Sequence, residues 1–119
     1  MAVNDQHRQV EVAEELEETA RTLAHSTRTV PSPTDSYRLL AELARTTDHL
    51  QQTVRQLSAW HRAVQDGREY AGEDERGDGV TGTLEAAAQL EAAADALDHA
   101  GEALRAAHTA NGVVRWIGD

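Results

Sequence analysis

Apolar side chains recur along this chain with the period of an α-helix, in three long stretches. The clearest lies between residues 33 and 66. There Leu40, Leu43, Thr47, Leu50, Val54, Leu57, His61 and Val64 follow one another at alternating steps of three and four residues. That spacing is a heptad seam, and it puts all eight side chains on one stripe of a helix. Ser32 suits a cap, Pro33 the first helical position, and Asp35 closes a Ser-x-x-Asp box. Asp66-Gly67 forms a natural stop, because glycine accepts the left-handed conformation that ends helices. Thr46-Thr47-Asp48 are poor helix formers, and Asp48 with Gln51 suits a new cap. The stretch therefore reads either as one helix about 50 Å long or as two helices broken near residues 46–49.

The third stretch, residues 83–110, is an alanine-rich heptad. Leu90, Leu97 and Leu104 recur at sevens, and Ala87, Ala94 and Gly101 hold the companion seam with His108 next in register. Ala86, Ala93, Ala100 and Ala107 form a third series, and Ala96, Ala103 and Ala110 a fourth. Together they cover about half the helix circumference, wider than one coiled-coil seam. Small side chains let neighbouring helices approach at the short end of the usual range of about 8–10 Å. Such a helix is packed from two sides, as the central member of its own bundle or as half of a self-association face. The first stretch, residues 4–28, is weaker. Ala13, Leu16, Ala20, Leu23 and Thr27 keep the spacing while Glu14, Glu15, Glu17 and Glu18 fall on outward positions. Glu17 reaches Arg21 one turn on.

Both prolines fall in Val30-Pro31-Ser32-Pro33, and five of the eight glycines lie between Gly67 and Gly82. These clusters separate the three stretches, and none of the three alternates as a strand does. The pattern predicts an all-α protein: a single domain over residues 1–119, folded as an antiparallel bundle of three long or four helices. It also predicts a mobile, acidic, glycine-rich loop over residues 67–82 and an apolar tail over residues 111–119, which includes Trp116 and Ile117. An apolar end of this kind docks on its own bundle or on a partner.

Composition narrows the function. The chain has 119 residues, of which 39% are apolar, with 21 alanines and no Phe or Cys. One thin core is what such a chain can bury. Its 11 basic residues, all Arg, face 21 acidic ones for a net charge of −10. No excess cation is left to displace counterions, which opposes binding to a nucleic-acid backbone. Without cysteine there is no disulfide and no thiolate metal site. No apolar run approaches the roughly 18–20 residues of a membrane span. The start, Met1-Ala-Val-Asn-Asp-Gln-His-Arg8, lacks the apolar segment of a secretory signal. A cytoplasmic protein without a membrane association is expected.

Candidate chemistry is sparse. Asp95, Asp98, His99 and Glu102 share one helix face, but in the heptad register that face points away from the leucine seam. A carboxylate di-iron bundle needs Glu-x-x-His from each of two helices, and the sequence contains none. His61 and His108 sit on apolar seams near helix ends, where a pair of imidazoles would bind a metal or small ligand, or tune assembly. Without lysine there is no phosphate loop of the Gly-Lys-Ser/Thr type, and Ser26, Ser32, Ser36 and Ser58 have no nucleophile context. Neither a catalytic residue nor a cofactor is expected.

Two groups of acidic pairs, Glu14/Glu17 and Glu15/Glu18, match the Glu-x-x-Glu of the all-α nucleotide pyrophosphohydrolases. The second acidic pair of that family is missing nearby; the next on a helix is Asp95/Asp98. Tyr70-Ala-Gly-Glu-Asp74 resembles the Tyr-x-x-x-Asp/Glu signal that trails the small helical hairpins of type VII secretion. That likeness implies export. Trp116-Ile-Gly118, however, lies at the C-terminal end rather than in the hairpin turn, and a third long helix departs from that family. The stretches Leu23–Arg28, Tyr37–Leu43 and Leu57–His61 resemble small Ala/Arg/Glu-rich all-α proteins of high-GC bacteria. This likeness implies a helical bundle and no particular chemistry.

The expectation is a non-enzymatic interaction or structural module that acts through helix packing on itself, as a homodimer, or on another protein. Leu90, Ala94, Leu97, Gly101 and Leu104 are the packing residues, with Trp116 and Ile117 for docking. The alternatives are a small-molecule or metal-binding bundle using His61 and His108, and a secreted hairpin of the type VII kind.

Overall fold

The computed structural model describes residues 6–65, 68–71, 73–74, 77–78 and 79–117. It is an all-α protein with three long helices: α1 (Gln9–Ser26), α2 (Asp35–Ala63) and α3 (Gly79–Asn111). A single turn of 3-10 helix, Gln6–Arg8, precedes α1. Among the described residues no helix is long and apolar enough to cross a membrane. The chain divides into two compact units, Met1–Asp35 with Trp116–Asp119, and Ser36–Arg115.

In the first unit α1 is held by charge pairs on its own surface. Arg8 forks onto Glu11 and Glu15 at 3.0 and 3.1 Å, and Arg21 meets Glu17 at 2.6 Å. All are exposed, so each contributes no more than about 1 kcal/mol. No residue of α1 is buried. Leu16 remains exposed and Leu23 is half-buried. The helix ends where Thr27 donates both its N–H and its hydroxyl to the carbonyl of Leu23, each at 2.9 Å.

The second unit holds α2 and α3. The helix α2 runs without a break through Thr46-Thr47-Asp48, which settles the sequence's two readings in favour of one long helix. Both threonines turn their hydroxyls back onto the helix, Thr46 to the carbonyl of Glu42 and Thr47 to that of Leu43, each at 2.8 Å. Satisfied within the helix, these hydroxyls have no reason to compete for its backbone. The start differs from the capping-box expectation. Ser32 closes a turn, its carbonyl accepting from the N–H of Asp35 at 2.9 Å, and α2 begins two residues after Pro33.

Between the helices, β1 (Glu73–Asp74) pairs antiparallel with β2 (Gly77–Asp78) in a two-residue ladder that the helical periodicity does not foretell. The expected mobile loop falls partly on residues 66, 67, 72, 75 and 76, which lie outside the described residues. So does the stop expected at Asp66-Gly67. The helix α3 starts at Gly79, four residues before the expected Thr83. Asp78 caps it, accepting from Val80 N–H at 3.0 Å and from the Thr81 hydroxyl at 3.2 Å.

Candidate functional site

The two helices of the second unit pack antiparallel, and their register is readable from both ends. At one end the Ser58 hydroxyl donates to the Ala87 carbonyl at 2.9 Å. At the other the Tyr37 ring stacks on His108, with centroids 3.9 Å apart and planes at 27°. Position 37 stands opposite 108 and 58 opposite 87, an equal separation of three heptads on each helix. Positions 44 and 51 therefore fall opposite 101 and 94. The buried residues mark the same line: Ala44 and Ser58 on α2, and Ala87, Ala94 and Gly101 on α3.

This line differs from the seam the leucines suggested on α2. The buried residues are Ala44 and Ser58, each one position beyond Leu43 and Leu57, which keep 36% and 45% of their surface exposed. The reason is size. Helices that approach at the short end of the packing range admit only small side chains along the line of closest contact, and larger ones move to its sides. Gly101 lies on this line beside an ion pair. A Cβ built there would lie 3.4 Å from Asp48 Oδ1 and 3.5 Å from the Arg105 guanidinium. Gly112 at the end of α3 is tighter, since a Cβ there would stand 3.2 Å from both Tyr37 Cε1 and the Thr109 carbonyl. Its φ of −63° is ordinary, so space rather than backbone conformation calls for glycine there.

The two sides of the contact line differ in chemistry. One side carries ions. Arg55 forks onto Glu91 at 2.6 Å and Asp95 at 3.1 Å, and Arg105 meets Asp48 at 2.9 Å. The other side carries the α2 stripe identified above, from Leu40 to Val64. Beside it run Thr83, Leu90, Leu97, Leu104 and Asn111 of α3, and then the column Ala86, Ala93, Ala100 and Ala107. None of these seventeen positions is Arg, Asp or Glu, in a chain of which 27% is charged. Leu40, Leu50, Val54, Leu90, Leu97 and Leu104 are half-buried, and none is buried. At one end Asn111 closes the flank by donating to the Ser36 hydroxyl at 3.0 Å.

The expected site residues thus separate into groups. Ala94 and Gly101 lie on the contact line, while Leu90, Leu97 and Leu104 lie on the charge-free flank beside it. His61 and His108 are not brought together. They sit at opposite ends of the hairpin, about 36 Å apart along its axis at 1.5 Å per residue. His61 Nδ1 is 2.8 Å from the Leu57 carbonyl, a contact within its own helix. His108 spends its face on Tyr37. Asp95 is paired with Arg55, and among the described residues no group of three His, Asp or Glu side chains stands close enough to hold a metal ion. In the tail Trp116 is 43% and Ile117 92% exposed. Tyr70 is half-buried ahead of β1, and Gly118 of the Trp-x-Gly lies outside the described residues.

Sequence reasoning missed Ser58, Arg55 and Tyr37. A signal existed for the first: Ser58 stands two heptads from Ala44, a column of small or polar residues beside the leucines.

The site and fold together define a class, an antiparallel helical hairpin zipped through small residues with one ionic and one charge-free flank. No protein-family model, no curated protein and no solved structure matches this chain.

Proposed function

We propose that this protein is a non-enzymatic, cytoplasmic interaction module that works by helix packing, with the charge-free flank of the α2–α3 hairpin as its binding surface. One observation carries the reading. Among the described residues the hairpin buries only small side chains, the largest fully buried one being Ser58, while seven of its nine leucines line one flank and none of the seven is buried. A two-helix unit gains most of its stability from apolar burial, and alanine methyls supply little of it. Covering the flank would add burial at about 25 cal/mol per Å² of apolar surface. Contiguous apolar surface of this kind marks protein contact sites on proteins generally.

The test is site-specific photo-crosslinking in cells. A crosslinker in place of Leu57, on the charge-free flank, is expected to give protein adducts, and one in place of Ala88, on the ionic flank, is not. Equal labelling from both positions, or none from Leu57, refutes the reading.

A further inference from the structure

We propose that Asn111-Gly112 is a site of spontaneous deamidation, held latent by the closed end of the α2–α3 hairpin and released when that end frays.

The sequence supplies the chemistry. Of its two asparagines, Asn4 and Asn111, only Asn111 precedes a glycine. Gly112 has no side chain to shield its backbone nitrogen or to restrict its rotation. Once that nitrogen has given its proton to a solvent base, it attacks Asn111 Cγ. The N–Cγ bond forms, the Cγ–Nδ2 bond breaks, and Nδ2 leaves as ammonia with a proton taken from water. The product is a five-membered succinimide. Water opens it at either carbonyl, leaving aspartate or, where the backbone now runs through the side chain, isoaspartate. One water is consumed, one ammonia is released, and nothing is oxidised or reduced.

The structure supplies the lock, in three parts. The Gly112 N–H donates to the carbonyls of His108 and Thr109, at 3.1 Å each. Both bonds must be given up before the nitrogen loses its proton. Asn111 is the last residue of α3, and helical backbone angles there hold the following nitrogen away from the side-chain carbon. The leaving group is also tethered, because Nδ2 donates to Ser36 Oγ at 3.0 Å in a part-buried bond between the end of α3 and the first turn of α2.

This lock sits where a helix opens most readily. The last turn carries carbonyls without intrahelical partners, and it opens at far less cost than the whole unit. Directly beyond it Val113 is 86% exposed. The reaction also runs one way. Isoaspartate puts one more carbon into the backbone between residues 111 and 112, where a Cβ on Gly112 would already stand 3.2 Å from Tyr37 Cε1. The Tyr37–His108 stack belongs to the same end, so a converted chain has no room to close its hairpin as before.

The experiment ages the whole chain at mildly alkaline pH and follows the conversion of amide to acid by mass spectrometry. Cleavage after Arg105 and Arg115 yields a peptide in which Asn111 is the one asparagine. The chain unfolded in guanidinium is expected to convert more than about tenfold faster than the folded chain. Ser36→Ala, which removes the tether, is expected to speed the folded chain about two- to tenfold. Ser58→Ala, which loses a hydrogen bond at the other end of the hairpin, is expected to stay within about twofold of the wild type. If Ser36→Ala fails to fold by circular dichroism, hydrogen exchange in the wild type decides. Protection of the Gly112 amide should then equal the slowing of deamidation within about threefold.

No conversion in guanidinium removes the site. Equal rates in the folded and unfolded chain remove the lock, and a folded Ser36→Ala that converts at the wild-type rate removes the tether. If Ser58→Ala converts as fast as Ser36→Ala, global unfolding sets the rate, and gating by the hairpin end is overturned. Protection of the Gly112 amide that differs from the slowing overturns it as well.

Discussion

Gly101 offers the sharpest check on the close approach of α2 and α3, because two substitutions there have opposite expected signs. Glycine inside a helix is less favourable than alanine by about 0.8–1.0 kcal/mol. The site is buried, and a Cβ would lie 3.4 Å from Asp48 Oδ1 and 3.5 Å from the Arg105 guanidinium. Those are ordinary contacts, so one methyl fits without displacing the ion pair. Gly101→Ala should then gain most of the propensity difference, about 0.5–1 kcal/mol. Gly101→Leu adds three more carbons on the contact line, where the Asp48–Arg105 pair stands at 2.9 Å. Overpacking of that kind costs about 1–3 kcal/mol, which exceeds the propensity gain. For a unit the size of this hairpin, 1 kcal/mol moves the melting temperature by about 4–8 °C. Thermal unfolding followed by circular dichroism at one fixed concentration should therefore place the alanine variant above the wild type and the leucine variant below it. A leucine variant as stable as the alanine variant would refute the close seam. An alanine variant less stable than wild type would refute the register that sets Gly101 beside Asp48.

Other outcomes follow from the same geometry. Ser58→Ala removes the bond to the Ala87 carbonyl without opening a large cavity, and chemical denaturation should show a loss of about 0.5–1.5 kcal/mol. Arg55→Ala breaks the fork onto Glu91 and Asp95, both part-exposed; the loss should be under about 1 kcal/mol and should shrink as salt is added. Thr46→Ala, at an exposed site where the hydroxyl bonds only within its own helix, should raise stability by about 0.5 kcal/mol. A loss on Thr46→Ala would mean that the hydroxyl has a partner beyond Glu42.

Much of this architecture was legible in the sequence. Helical period is a property of local spacing, so the three helices show themselves in the steps of three and four residues. The Ala87–Ala94–Gly101 column was legible for the same reason. The position of the contact line on α2 was not. Hydrophobicity points to Leu43 and Leu57, whereas close packing selects Ala44 and Ser58, and the choice depends on the partner helix. The continuity of α2 depended on where two threonine hydroxyls turn, which intrinsic propensity does not contain. The early start of α3 was encoded in Asp78-Gly79, but the glycines around it read as loop. The charge-free flank could have been counted from the heptad positions alone; its meaning depended on knowing which side of the contact line holds the ions.

The ion pairs have a consequence for how faithfully the two helices align. A slide of one heptad still sets Ala94 against a buried α2 residue, Ser58 in one direction and Ala44 in the other, so the small residues are partly blind to it. The charges are not blind. Moving α3 so that Ala94 rather than Ala87 meets Ser58 would still offer Arg55 acids at Asp98 and Glu102, but would take Arg105 away from Asp48. Moving it the other way would set Asp48 against Asp98 and leave Arg55 facing Leu84 and Ala88. The pairs at the surface contribute little to the depth of the native well. Their effect lies in the gap between the correct alignment and its two neighbours, so they act as a vernier on an otherwise repetitive zipper.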